Sequence, residues 1–274
     1  APDIGAQEFM VDFGVNRLES PTNECTHTST EPVTVFLRQF GDIPFTNIKL
    51  AYRVNGGIVR YDTIRGSIDN DITYTFNHRE DLSIAGSYTF KIWLVDNQDD
   101  NPNNDTLTVV RVNKASPVVD FSFTTGCAKT AIPFTGSASV AIGYIDRYEW
   151  DFGDNTVGAI QNPQHIYDTA ATYQVKLRAY SNEGCYTERI KAVALKATPE
   201  ALFTITDVCD GNAVSINNQT RMTGGTGTIT YNWTFGDGTN GTGINPTHLY
   251  PRPDTFQIKM TATANNGCLD TTSA

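Results

Sequence analysis

Two eight-residue words, YEWDFGDN at Tyr148–Asn155 and YNWTFGDG at Tyr231–Gly238, constrain this chain more than anything else in it. Each sits in the same order of features. Copy one reads FSFTTGC … YEWDFGDN … NPQHIYDTAATYQVKLRAYSNEGC, and copy two LFTITDVC … YNWTFGDG … NPTHLYPRPDTFQIKMTATANNGC. Self-similarity at a fixed period marks a repeated structural unit. Within the word, Tyr148, Trp150 and Phe152 alternate with Glu149 and Asp151, and Tyr231, Trp233 and Phe235 hold the same places. Period two is the mark of a strand with one buried side. Tyr173 to Tyr180 and Phe256 to Met260 alternate likewise. Short strands separated by polar turns point to β-sandwiches. Trp150 and Trp233 are then core anchors. Gly153 and Gly236 supply the sharp turn after the strand, and Asp154 and Asp237 can bond nearby amides. Asp151 of copy one is Thr234 in copy two. A catalytic or metal-binding carboxylate shared by both copies would not become threonine, which argues against a common active site.

At 274 residues the chain is long enough for two or three domains. It is 39% hydrophobic, with 22 Gly and 12 Pro, rich in threonine and poor in helix-forming runs, so a folded, β-rich protein is expected. The net charge of −10 repels phosphate backbones, so nucleic acid is not expected as a partner. No apolar run approaches the roughly 18 residues needed to span a bilayer, and no direct membrane insertion is expected. The chain opens without a signal peptide, and we expect that one has been removed or that this is an excised segment. Cys127 and Cys185 stand 58 residues apart, and Cys209 and Cys268 stand 59 apart. Equal spacing in two copies leads us to expect one disulfide per copy, Cys127–Cys185 and Cys209–Cys268, and hence an oxidising compartment; the alternative is four buried thiols. Cys25 is left over, as a buried small hydrophobe or a partner for another chain.

The words WDFGD and WTFGDG, each followed by Asn-Pro-x-His-x-Tyr, resemble PKD (polycystic-kidney-disease) domains. The resemblance covers roughly residues 116–274, with Asn155 in place of a final Gly and Thr234 in place of Asp. It implies Ig-like sandwiches of about 80 residues, in which Trp150, Phe152, His165 and Tyr167, and Trp233, Phe235, His248 and Tyr250, are structural core residues. Residues 1–113 lack the word but share its grammar: PVTVFLRQF, NIKLAYRVNGGIVRYDTI, ITYTFN, GSYTFKIWLVD and DTLTVVRV read as strands, and Asn55-Gly56 as a hairpin turn. DLSIAGSYTFKIWL followed by a polar loop and NDTLT resembles the CARDB-like, Ig-like modules found between PKD repeats in large surface proteins of Bacteroidota.

The expected fold is therefore all-β: three tandem Ig-like β-sandwiches, a CARDB-like one at 1–113 and PKD-like ones at 116–197 and 199–274. The linkers from Asn113 to Pro117 and from Lys196 to Pro199 are short and end in proline, so a rod is expected. After Cys185 eleven residues continue as a closing strand, whereas after Cys268 only LDTTSA remains. The last strand of the third module is expected to be incomplete, with the polypeptide continuing or another chain donating the strand.

Candidate sites are few. The loop from Val95 to Thr106 carries Asp96, Asp99, Asp100 and Asp105 with Asn97 and Asn101, hard oxygen ligands of the kind calcium takes; the alternative is a solvated hairpin tip. No cofactor is required, and calcium is the one ion the chain could hold, here or at the joints between modules. The four histidines, His27, His78, His165 and His248, fit no zinc spacing, and no catalytic constellation is present, so no enzyme activity is expected. The resemblance to Bacteroidota proteins brings their O-glycosylation signal, Asp-Thr followed by a small or aliphatic residue, which places candidates at Thr63, Thr106, Thr169 and Thr271. Asn-x-Thr sequons at Asn104, Asn218, Asn232 and Asn240 matter only in a eukaryotic host.

The reading is a non-catalytic, extracellular structural or adhesive segment of a large cell-surface protein, a rigid spacer or binding stalk. It resembles type IX-secreted adhesins and gliding-motility proteins. Its partners would be further modules of the same polypeptide, the type IX secretion machinery, and glycans, surface polymers or neighbouring copies. Two alternatives are the accessory PKD region of a secreted hydrolase, and a self-assembling filament subunit completed by strand donation.

Overall fold

The computed structural model describes residues 10–95, 99–206, 208–209 and 211–274, and among these every regular element is a β-strand. The first sandwich packs a three-stranded sheet, in the order Phe13–Ser20, Glu31–Gln39, Ile72–Glu80, against a four-stranded one, in the order Arg60–Ile68, Phe45–Val54, Gly86–Leu94, Thr106–Asn113. Alternation places Val33, Val35 and Leu37 of one sheet and Ile48, Leu50, Tyr52, Phe90 and Ile92 of the other in a common core. Asn55 and Gly56 both take positive φ, 50° and 71°, which gives the Phe45–Val54/Arg60–Ile68 hairpin its tight end. The strand Phe13–Ser20 escapes the sequence reading because its pairing with Glu31–Gln39 carries two bulges, which break the alternation.

The second and third sandwiches repeat one design. A four-stranded sheet runs Val157–Gly158, Ile145–Asp151, Thr172–Ser181, Tyr186–Ala194 in one, and Asn240–Thr242, Ile229–Thr234, Lys259–Ala264, Leu269–Ser273 in the other. Facing it lies a three-stranded sheet, Gln164–Ile166, Ala131–Ser139, Val118–Phe123, or Thr247–His248, Val214–Asn218, Phe203–Ile205. A small pair, Thr198–Glu200 with Arg221–Thr223, is added in the third. The closing strand Leu269–Ser273 is shorter than Tyr186–Ala194, yet it pairs with Lys259–Thr263 residue for residue.

Compactness divides the chain into two units. One comprises residues 1–118 with 139–146 and 180–186; the other comprises 119–138, 147–179 and 187–274.

Candidate functional site

The repeated word is explained by one network, built twice. Trp150 and Trp233 are buried, and each indole N–H donates to a backbone carbonyl 2.9 Å away, Ile160 in one sandwich and Gly243 in the other. Phe121 and Phe203 meet these indoles edge-on, at centroid distances of 5.1 and 5.0 Å. Phe152 and Phe235 lie parallel to the imidazoles of His165 and His248, at 4.2 and 4.1 Å. Tyr167 and Tyr250 stand edge-on to the same imidazoles and donate their hydroxyls to the carbonyls of Phe152 and Phe235.

The outer edge of each imidazole is held by the Gly-Asp turn. His165 Nε2 lies 2.6 Å from Asp154 Oδ2 and His248 Nε2 lies 2.8 Å from Asp237 Oδ2. The other carboxylate oxygen accepts from the backbone and hydroxyl of Thr156, or of Thr239. Burial pushes the Asp154 carboxyl up, but the bonds from Thr156 and His165 outweigh it and hold the group below its ordinary range. The Thr239 hydroxyl, with backbone and His248 bonds, brings Asp237 down to about 2. The carboxylates, the threonine hydroxyls, the imidazole Nε2 atoms and the tyrosine hydroxyls of this set all bond to one another or to nearby backbone, which is the chemistry of a structural lock.

The departures within the word have local reasons. Gly153 and Gly236 take φ of 81° and 82°, and a Cβ would stand 2.9 and 2.8 Å from the carbonyls of Gln174 and Gln257. Two residues on, Gly238 has φ 88° and Asn155 φ 70°; asparagine is among the few side chains that accept the left-handed region. Asp151 and Thr234 are both exposed, and Asp151 accepts from the Gly153 amide.

The cysteines overturn the expected pairing. Cys25 bonds to Cys185 and Cys127 to Cys268, with Cα atoms 5.5 and 5.7 Å apart, while Cys209 is a free, exposed thiol. The physical reason is strand length. Cys185 stands at the start of Tyr186–Ala194, whereas Cys127 bridges Lys196 just past its end. Nine residues of strand put them on the order of 30 Å apart, far beyond the 7 Å that a disulfide tolerates. Equal spacing is a property of any repeat and does not choose between pairings.

Both disulfides sit in the same joint, made twice. In the first unit Glu24 accepts from the Lys114 amide and donates to the Val112 carbonyl. In the second, Lys196 donates to the Gly126 carbonyl and accepts from the Ala128 amide. Lys114 Nζ reaches the carbonyl of Glu183, two residues before Cys185, and Lys196 Nζ reaches that of Asn266, two residues before Cys268. The Ser116 hydroxyl donates to the Cys25 carbonyl, and the Thr198 hydroxyl to that of Ala128. These residues form a repeated linker word, Lys114-Ala115-Ser116-Pro117 and Lys196-Ala197-Thr198-Pro199. The sequence reading took only the prolines from it; the shared Lys-Ala-Ser/Thr-Pro was the signal that would have found the joint.

In the acidic loop of the first sandwich, Asp96 lies outside the described residues. Asp99 Oδ2 accepts from the Phe13 amide and Asp100 Oδ2 from the Val11 amide, both at 2.8 Å. Buried Asp12 accepts from the side-chain amides of Asn104 and Asn101. Burial, with Asp99 and Asp12 nearby, raises the Asp105 carboxyl to about 6. Among the described residues no group of three or more His, Cys, Asp or Glu is placed to hold a metal ion. The remaining histidines are apart from these networks: His27 Nε2 lies 2.9 Å from the Thr22 carbonyl, and His78 is exposed. Of the glycosylation candidates, Thr106, Thr169 and Thr271 are exposed and Thr63 is half-buried within a strand.

The fold and these networks define a class: tandem Ig-like β-sandwiches whose sequence motif is internal architecture. A PKD domain family model matches residues 114–194 and 196–274, and the chain belongs to that family. It is 33% identical over 112 residues to Collagenase ColA of Clostridium perfringens (strain 13 / Type A), a match covering 40% of this chain and 10% of the collagenase. Similar solved structures include the PKD1 domain of Vibrio cholerae metalloprotease PrtV (22% identity, 29% of this chain and 96% of that one, TM-score 0.28). The PKD1 domain of Vibrio anguillarum Epp is similar too (21% identity, 30% and 94%, TM-score 0.28).

Proposed function

We propose that this chain is a non-catalytic, extracellular structural segment of a larger protein, a spacer whose successive modules are fastened to one another covalently. The observation that carries this reading is the joint. Both disulfides tie the Cys loop of one module to the Asn-x-Gly-Cys or Glu-Gly-Cys turn of the next, beside a linker lysine that caps the same turn. Disulfides persist in oxidising compartments, which supports a location outside the cytoplasm. Export by a type IX system, display on a Bacteroidota cell surface and O-glycans on exposed Thr106, Thr169 and Thr271 belong to the same proposal. The test replaces residues 1–274, within the full polypeptide, by unrelated Ig-like modules of equal number. A spacer role predicts retained surface display and retained activity of the flanking parts. Loss of binding to a defined surface, with display intact, would sink it.

A second reading rests on the similarity to Collagenase ColA: an accessory region that holds an insoluble substrate for a hydrolase elsewhere in the polypeptide. Co-sedimentation of the full polypeptide, with and without residues 116–274, on insoluble collagen tests it. Equal sedimentation of the two forms would remove it.

A further inference from the structure

Cys209 occupies the place in the third sandwich that Cys127 occupies in the second. Each follows the first strand of its sandwich, in the contexts FSFTTGC and LFTITDVC. At Cys127 that place is filled: the Lys196 backbone bridges it, Thr198 bonds to Ala128, and Cys268 completes the disulfide. At Cys25 the same three partners recur as Lys114, Ser116 and Cys185. At Cys209 the thiol is exposed and lies at the edge of an open cavity of about 420 Å3, lined by Val208, Val214, Tyr250, Phe256 and Ile258 among others. Two other cysteines in the same position are bonded in the same way, and the surface around this one is hollow and partly apolar.

We infer that Cys209 is the donor half of a third joint, and that it forms a disulfide with the cysteine of an Asn-x-Gly-Cys turn in a further PKD module of the same polypeptide. The cavity receives that module's Lys-Ala-Ser/Thr-Pro linker, with the lysine capping the carbonyl two residues before the cysteine. The chain's own turn cysteines are already bonded, Cys185 to Cys25 and Cys268 to Cys127, so the partner lies outside these residues. In the bonding step two S–H bonds break and one S–S bond forms. The two protons and two electrons pass to the disulfide of a dithiol–disulfide oxidoreductase, which leaves as a dithiol. The inference rests on the proposed reading of this chain as a segment of a larger protein, but a spacer role could fail with the third joint still present.

The test is peptide mapping of the full native polypeptide without reduction, after free thiols are blocked with N-ethylmaleimide. The expected result is the Cys209 peptide joined to a peptide of the form Asn-x-Gly-Cys. In that module a Lys-Ala-Ser/Thr-Pro linker should stand about 70 residues upstream, as the 69- and 70-residue separations of the two observed lysine contacts require. Recovery of Cys209 as its N-ethylmaleimide adduct, or joined to Cys209 of a second copy or to a small thiol, overturns the inference. A Cys209→Ser variant supplies a second reading. It should expose one new alkylatable cysteine in the following module, and no new thiol counts against the joint.

Discussion

His165 lies between Phe152 and Asp154, its ring stacked 4.2 Å from one and its Nε2 2.6 Å from the carboxylate of the other. One imidazole thus fastens both ends of the Phe-Gly-Asp turn. Replacing His165 by Ala should cost about 1–3 kcal/mol, since the buried face of the turn loses its ring partner and Asp154 loses a donor. Urea unfolding followed by the amide resonances of residues 150–167 reads the effect, and a change within experimental error would remove the lock.

The same network sets the acid limit. Asp154 and Asp237 are held below the unfolded value of about 3.9, Asp237 at about 2. A depressed carboxyl contributes stability that is present above the unfolded pKa and is lost as pH falls through the folded one. Stability of both PKD sandwiches should therefore decline from about pH 4 towards about pH 2. Unfolding midpoints measured across that range for the parent and for Asp154→Asn/Asp237→Asn should differ in slope. Parallel profiles would contradict the assignment.

Asp105 has the opposite sign. Its folded pKa of about 6 lies above the unfolded value, so the folded state takes up a proton first as pH falls. The first sandwich should gain stability as pH drops from about 7 to about 5, and Asp105→Asn should abolish that gain while stabilising the protein at neutral pH. Denaturation at pH 5 and pH 7 is the check. Calcium bound at this loop would hold Asp105 ionised and lower its titration midpoint, which a carboxyl NMR titration with and without the ion would reveal.

The left-handed positions of the turn should not be equivalent. Gly153→Ala places a Cβ 2.9 Å from the Gln174 carbonyl oxygen at φ 81°, and should cost more than about 1 kcal/mol. Gly238→Asn, which copies Asn155 at φ 70° into a site with nothing within 4 Å, should be tolerated within about 0.5 kcal/mol. Equal losses at the two sites would show that clash with Gln174 is not the cause.

Paired replacement Cys25→Ser/Cys185→Ser should lower stability by about 2–4 kcal/mol, the usual range for a natural bridge. Mass mapping should still recover Cys127 with Cys268. Recovery of Cys127 with any other cysteine would mean that the joints are not independent.

The motif network was readable in the sequence because it is local. Alternation fixes which side of the strand Trp150 faces, and the Gly-Asp turn and His-x-Tyr lie close enough in the chain to be read as one unit. The acidic loop was readable only as composition, since whether Asp99 and Asp100 meet an ion or the amides of Phe13 and Val11 depends on contacts across 86 and 89 residues. The disulfides were misread for a related reason. Spacing within a repeat is the same whichever cysteines bond, and only the distance along Tyr186–Ala194 separates the choices.

The two bridges also interlock along the chain: Cys127 lies inside the 160-residue span of the first, and Cys185 inside the 141-residue span of the second. A tension applied at the two ends would run from Cys25 across to Cys185, back along the backbone to Cys127, and across to Cys268. With both bonds intact, only the stretch between Cys127 and Cys185 and the short tails lie on that shortest taut route; the rest is slack that no load can draw out. Such a segment yields a fraction of its contour length before it bears force, and a reductant would release the hidden length in two steps, part of it on cutting one bond and the rest on cutting the other.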